Sequence, residues 1–133
     1  MTRGYRNCNP GNIRHSSARW KGMRALQTDK SFVQFSSMAF GYRALCKTLL
    51  TYYRKHNLKN IASIISRWAP PSENDTSAYI SSVCRSMDYP AEKQLNLNDI
   101  ATLTSLAAAL SKVENGISAN LIDVREGARL ALL

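Results

Sequence analysis

Histidine, cysteine and acidic residues are all scarce in this sequence, and each shortage removes a class of function. Only His15 and His56 are present, both in polar surroundings that suit solvated surface, and the three cysteines, Cys8, Cys46 and Cys84, form no CxxC pair. With no HExxH either, no metal site is expected. An odd number of thiols argues against a disulfide framework and for a chain that folds reduced. Cys46 and Cys84 lie on apolar helical faces and suit a core; the role of Cys8 stays open. There is no GxSxG elbow and no Gly-rich phosphate loop, which removes the common serine-nucleophile and nucleotide schemes, and no cofactor is implied. No run approaches the roughly eighteen apolar residues that span a bilayer. The opening MTRGYRNCNP carries basic residues without an apolar h-region, so no signal peptide is read here and export needs another agent.

The shortage of acid leaves nine Asp and Glu against eighteen Lys and Arg, a net charge of +9 that draws the molecule toward something anionic. Nucleic acid, lipid head groups and the acidic polymers of a bacterial envelope all qualify by charge. Nucleic acid is not expected as a partner, because the helices present no contiguous basic face and the best cluster, Arg14, Arg19, Lys21 and Arg24, falls in loop and hairpin.

What is present is enough apolar material for a core: 44% of 133 residues, read as a single domain over 1–133. Turn residues dominate the first 35 positions, with Asn9-Pro10-Gly11-Asn12 and Gly22, and "SFVQF" reads as a strand of a small N-terminal β-hairpin. Phe40, Leu45, Cys46, Leu49, Leu50 and Tyr53 then recur at helical spacing behind Ser36 or Ser37 as N-cap, up to His56-Asn57. A shorter helix from Asn60 places Ile61, Ile64, Ile65 and Trp68 on one face before Pro70-Pro71 forbids continuation. Tyr79, Ile80, Val83, Cys84 and Met87 mark another, capped within Asn74-Asp75-Thr76. The cleanest stripe is Ile100, Leu103, Leu106, Ala107, Leu110 and Val113, expected behind an Asn98 cap and stopped at Asn115-Gly116. Ser118–Leu133 suggests a last helix with Leu121, Ile122, Val124, Leu130 and Leu133. The sum is a mainly α domain with a minor hairpin.

With imidazole and thiol schemes removed, carboxylates are the remaining catalytic candidates. Glu114 ends the apolar stretch "LTSLAAALSKVENG" at a helix C-terminus, where the macrodipole and apolar neighbours both favour the protonated carboxyl. That is the state a general acid needs to protonate a glycosidic oxygen. A glutamate in a last turn can equally point at water.

Three blocks, "RNCNPGNIR", "FVQFSSMAFGYRALCKTLLTYYRKHNLKNIASIISRWAPPSENDTSAYISSV" and "LAAALSKVENG", together resemble a family of small phage and prophage proteins often labelled virion structural proteins or lysozyme-like endolysins. The resemblance runs to about residue 116. In another order, the blocks are similar to the lysozyme-like glucosaminidase and transglycosylase domains that cut peptidoglycan. Those begin with a helix ending in a catalytic Glu, followed by an Asn-rich loop, an F-x-x-[FY] strand and a helix-rich half. Here the Asn-rich loop comes first and the Glu helix near the end, which implies a circular permutation of the α+β lysozyme-like fold. Two departures stand out: Cys8 replaces an expected asparagine, implying a weakened sugar contact, and Met38-Ala39-Phe40 replaces a usual acidic residue, read as surface variation.

Carried over by position, the resemblance implies Glu114 as the acid, and Asn9, Asn12 and Arg14 as the amide-rich loop lining the cleft. Glu73, Asn74, Asp75 and Tyr79 match the polar island between two helices. Sugar sites pair flat aromatic faces with fixed amides and acids. Trp20 and Trp68 supply rings for such a site, and Asn115 joins the candidate substrate contacts beside Glu114. Asn74 or Asp75 suits a helix cap as well, and Trp68 suits a core as well as a platform. Glu73 is the second catalytic candidate, able to activate water or stabilise charge at the anomeric carbon.

The expected function is a peptidoglycan glycosidase, hydrolase or lytic transglycosylase, acting as a monomer. It is made in the bacterial cytoplasm without a signal peptide and reaches the wall, on the periplasmic side, by holin-type release or virion delivery. The alternative is a non-enzymatic virion or wall-binding component that keeps the fold.

Overall fold

A computed structural model describes residues 1–133, and the chain is mainly helical, as the periodicities predict. Its six helices are α1 (Arg3–Arg6), α2 (Met38–Lys55), α3 (Ile61–Trp68), α4 (Thr76–Met87), α5 (Ile100–Asn115) and α6 (Leu121–Leu132). Each begins where a short polar side chain can satisfy an orphan N–H. Ser37 accepts from Phe40, Asp75 from Ala78, and Asn60 forms a reciprocal capping box with Ser63. The α5 cap is Asp99, not the expected Asn98: the Asp99 carboxylate accepts from the Thr102 N–H at 3.0 Å and its hydroxyl at 2.8 Å. Asn98 instead accepts from the Arg54 guanidinium. The tail helix starts at Leu121, behind Asn120, which accepts from Ile122 and Asp123.

α2 is the central element. It packs along α6 and also meets α3 and α5; α4 lies between α3 and α5, and α5 also packs on α6. Small residues on α6, Gly127, Ala128 and Ala131, let it approach α2 closely. The main core comprises 22 buried residues, with Leu45, Leu49, Ile61, Ile64, Leu103, Leu106 and Leu110 fully enclosed. Each such side chain contributes about 1.5–3 kcal/mol relative to exposure. The predicted stripes of α2 to α5 hold except at the end of α5, where Val113 is 37% exposed. The face expected for the tail helix does not: Leu121, Ile122 and Leu133 face solvent, and α6 buries Val124, Gly127, Ala128 and Ala131. Cys46 is fully enclosed, and burial pushes its thiol up to about 12; Cys84 is only half-buried.

The N-terminal third differs from expectation. In place of a hairpin ladder there are two isolated antiparallel bridges, Arg14 with Phe32 and Met23 with Phe35. Some backbone groups keep backbone partners, as the Val33 N–H with the Ile13 carbonyl and the Arg24 N–H with the Gln34 carbonyl, and side chains have taken others that a ladder would pair. Gln27 and Gln34 exchange amide and backbone bonds, Arg24 donates to the Phe35 carbonyl, and Asp29 accepts from the Ser31 and Phe32 N–H groups. Val33, Phe35 and Ala44 form a small second cluster, against which Phe40 packs, and Met38 packs on the main core. Met38 and Phe40 are therefore structural, not surface variation. No helix is long and apolar enough to cross a membrane.

Candidate functional site

Glu114 reaches the site from the last turn of α5, one residue before Asn115 and two before the left-handed C-cap Gly116 (φ 74°). That φ suits glycine, and nothing crowds a Cβ there, so the turn itself is the reason for glycine. The end of α5 is pinned from below. The Tyr42 and Ser111 hydroxyls lie 2.9 Å apart between α2 and α5, and the buried Asn115 amide donates to the Pro10 and Ser111 carbonyls.

The half-buried Glu114 carboxylate accepts two hydrogen bonds, one from 35 and one from 102 positions away in the sequence. The Tyr79 hydroxyl on α4 donates at 2.8 Å and the Asn12 amide at 3.2 Å. Tyr79 in turn accepts from the Trp68 indole N–H at 3.0 Å, so the end of α3 and the face of α4 hold one carboxylate in register. Burial, then the Glu114 charge, push the Tyr79 phenol upward from its ordinary value. It remains a proton donor toward Glu114. Asn12 adopts a left-handed backbone conformation (φ 49°), which asparagine tolerates better than most residues. Its loop sits tightly on α2, where a Cβ on Gly41 would fall 1.9 Å from the Cys8 carbonyl oxygen.

Glu114 lies in the wall of an open cleft of about 460 Å³. Six of the residues singled out from the sequence meet there: Asn12, Arg14, Trp68, Glu73, Asn74 and Glu114. Glu73 and Asn74 are exposed at its rim, and the Asn74 amide donates to the Pro70 carbonyl. The Arg14 guanidinium lies 5.0 Å from the centre of the Phe32 ring.

The remaining five stand elsewhere. Asn9 is fully buried and spends its side chain on backbone, donating to Ile13 and Val33 and accepting from the Ile13 N–H. Asn115 is buried as described, Asp75 caps α4, and Tyr79 is 7% exposed behind Glu114. Trp20 lines a separate hollow beside α2, and its buried indole N–H has no hydrogen-bond partner.

The other six lining residues were not read from the sequence as site residues: Gly11, Ile13 and Ala69, and the larger Phe32, Thr48 and Tyr52. Phe32 alternates with the buried Val33, a signal that it faces outward. Thr48 and Tyr52 lie one turn apart beside the apolar stripe of α2, and periodicity alone does not separate a stripe's edge from its solvent side.

The fold and site define a class: a mainly helical protein in which a core helix and an Asn-bearing loop, 102 residues apart, close on one carboxylate in an open cleft. No family model matches the sequence. The chain belongs to the family of Protein P5 of Pseudoalteromonas phage PM2, with which it is 39% identical over 117 residues, 86% of this chain and 71% of that protein.

Proposed function

We propose that the protein is a glycosidase of the bacterial cell wall, built on a circularly permuted lysozyme-like fold and using Glu114 as general acid. The observation that carries this reading is the single half-buried carboxylate held by Tyr79 and Asn12 at the wall of an open cleft that Phe32, Tyr52 and Trp68 help to line. The three sequence blocks behind the resemblance each supply a part: the Asn-rich loop gives Asn12 and Arg14, "FVQF" gives Phe32, and "KVENG" gives Glu114. Phage kinship fits an enzyme made in an infected cell and delivered to the peptidoglycan by release or by the virion.

In this mechanism Glu114 donates its proton to the glycosidic oxygen as the bond to the anomeric carbon breaks. Tyr79 and Asn12 fix the carboxyl so that its proton is presented in one direction, and both can stabilise the carboxylate left behind. Glu73 at the rim activates water or offsets positive charge at the anomeric carbon; without it, the sugar's own hydroxyl completes a lytic transglycosylase reaction. Trp68, Phe32 and Tyr52 offer apolar surface to pyranose faces, and Asn74 offers an amide to their polar substituents.

The test is Glu114→Gln. The glutamine keeps an oxygen for the Tyr79 donor, so the melting temperature stays near that of the parent. Lysis of purified peptidoglycan, read by turbidity and mass spectrometry of released fragments, falls by about a hundredfold or more. Full activity in that variant overturns the reading. Binding of sacculi by the parent with no released fragments favours a non-enzymatic wall-binding virion component.

A further inference from the structure

We propose that the cleft continues past Thr48 and Tyr52 into a cationic groove that binds the carboxylates of the wall polymer's peptide stems. This deepens the glycosidase reading and rests on it. Beside α2 lies a second hollow of about 450 Å³. It shares Thr48 and Tyr52 with the Glu114 cleft and adds Arg19, Trp20, Arg43, Lys47 and Thr51. The two hollows therefore adjoin at Thr48 and Tyr52 on α2.

The charge of this second part is unbalanced. No acidic side chain lines it, and Arg19, Arg43 and Lys47 take no part in the chain's ion pairs, which join Arg3 to Asp29 and Arg129 to Glu126. Arg43 and Lys47 sit one turn apart on α2, a like-charged i,i+4 arrangement that by itself disfavours the helix. Both are half-buried, so solvent screens their repulsion less than on open surface. An anion between them converts that repulsion into attraction.

The distribution of charge across the two hollows selects the ligand. Glu73 and Glu114 line the first part with Arg14, so it holds no excess of positive charge for a polyphosphate and suits neutral sugar rings. The second part is cationic, and three cations are few for a duplex, whose binding draws on roughly 6–10 phosphate contacts. A glycan strand with a neutral backbone and carboxylate-bearing peptide branches matches both parts at once.

The experiment is co-sedimentation of the full chain with purified sacculi, native or with their carboxyls amidated by carbodiimide and ammonia, alongside a gel shift with duplex DNA. The double variant Arg43→Gln/Lys47→Gln is expected to bind native sacculi about tenfold more weakly than the parent. The parent is expected to lose binding to a similar extent on amidated sacculi, while Arg43→Lys keeps it. If the double variant does not fold, Arg19→Gln in the exposed loop replaces it, with an expected loss of about threefold. Equal binding of native and amidated sacculi by the parent overturns the proposal. So does undiminished sacculus binding by the variant, or a variant defect confined to DNA.

Release of sugar fragments by the parent is scored separately. Fragments with undiminished variant binding leave the glycosidase and remove the groove. Carboxylate-dependent binding without fragments leaves the groove and removes the glycosidase.

Discussion

The helical part of the chain and its first 36 residues solve the same problem with different chemistry. Between α2 and α6, apolar side chains at helical spacing vanish into one core, and only Thr76, Ser111 and Asn115 are buried polar residues. In the N-terminal part, Val33, Phe35 and the neighbouring Ala44 form only a small apolar cluster, and Asn7, Asn9 and Gln34 are buried with it. There side-chain amides and the Asp29 carboxylate share the holding of the backbone with a few backbone bonds, such as that of the Val33 N–H to the Ile13 carbonyl. Apolar burial is non-directional and tolerates adjustment, whereas a buried amide holds only if each partner stays in place. The site lies where the two parts meet, with Glu114 contributed by one and Asn12 by the other.

Three perturbations separate the two regions. The largest effect is expected from Leu106→Ala in the centre of α5, which removes a fully buried side chain and costs about 3–4 kcal/mol in urea unfolding. Because that core is common to all the long helices, amide exchange should rise throughout α2 to α6. Protection unchanged in α2 would contradict a shared core.

Asn9→Ala is expected to cost less, about 2–3 kcal/mol, by leaving the Ile13 N–H and the Ile13 and Val33 carbonyls without their side-chain partner. Its signature is local: exchange at Ile13 and Val33 accelerates more than at Leu106. Uniform acceleration would mean that the loop and the helices open as one unit.

Asp29→Asn should give the smallest effect and the sharpest pH dependence. The Arg3 guanidinium, then the Phe32 N–H, the Asn7 amide and the Ser31 N–H hold the Asp29 carboxyl well below the ordinary carboxylate range. A folded-state value below the unfolded one means that the stability is fully present above the unfolded value and is lost as pH falls. The difference between parent and variant should therefore be constant above about pH 5 and shrink below about pH 4, the ordinary aspartate range. A difference that persists unchanged to pH 2 would remove the ion pair as its cause.

The helices were legible because they rest on periodicity and caps, both local. Even so, Asp99 won the α5 cap over Asn98 because Arg54, 44 residues away, engages the asparagine. The N-terminal part was less legible: "SFVQF" alternates like a strand, but side-chain bonds from Gln27 and Asp29 interrupt its ladder and leave isolated bridges. The site was read in part for the same reason. Glu114 stood out by its place at a helix end, whereas an asparagine that caps, braces or lines a cleft looks alike in a sequence. Asn9, Asn12, Asn74 and Asn115 take separate roles only once their partners are in position.

By itself, the sequence determined helices α2 to α6, the faces that α2 to α5 bury, the excess of positive charge and the one glutamate at the end of the cleanest apolar stripe. These follow from neighbours within a few positions and from composition. Only the tertiary structure decided that Tyr79 and Asn12 converge on that glutamate, that Asn9 and Asn115 are braces, and that Trp20 stands beside α2. Those contacts join residues up to 113 positions apart, as between Thr2 and Asn115. A hydrogen bond is set by distance and angle in space, which no local pattern encodes.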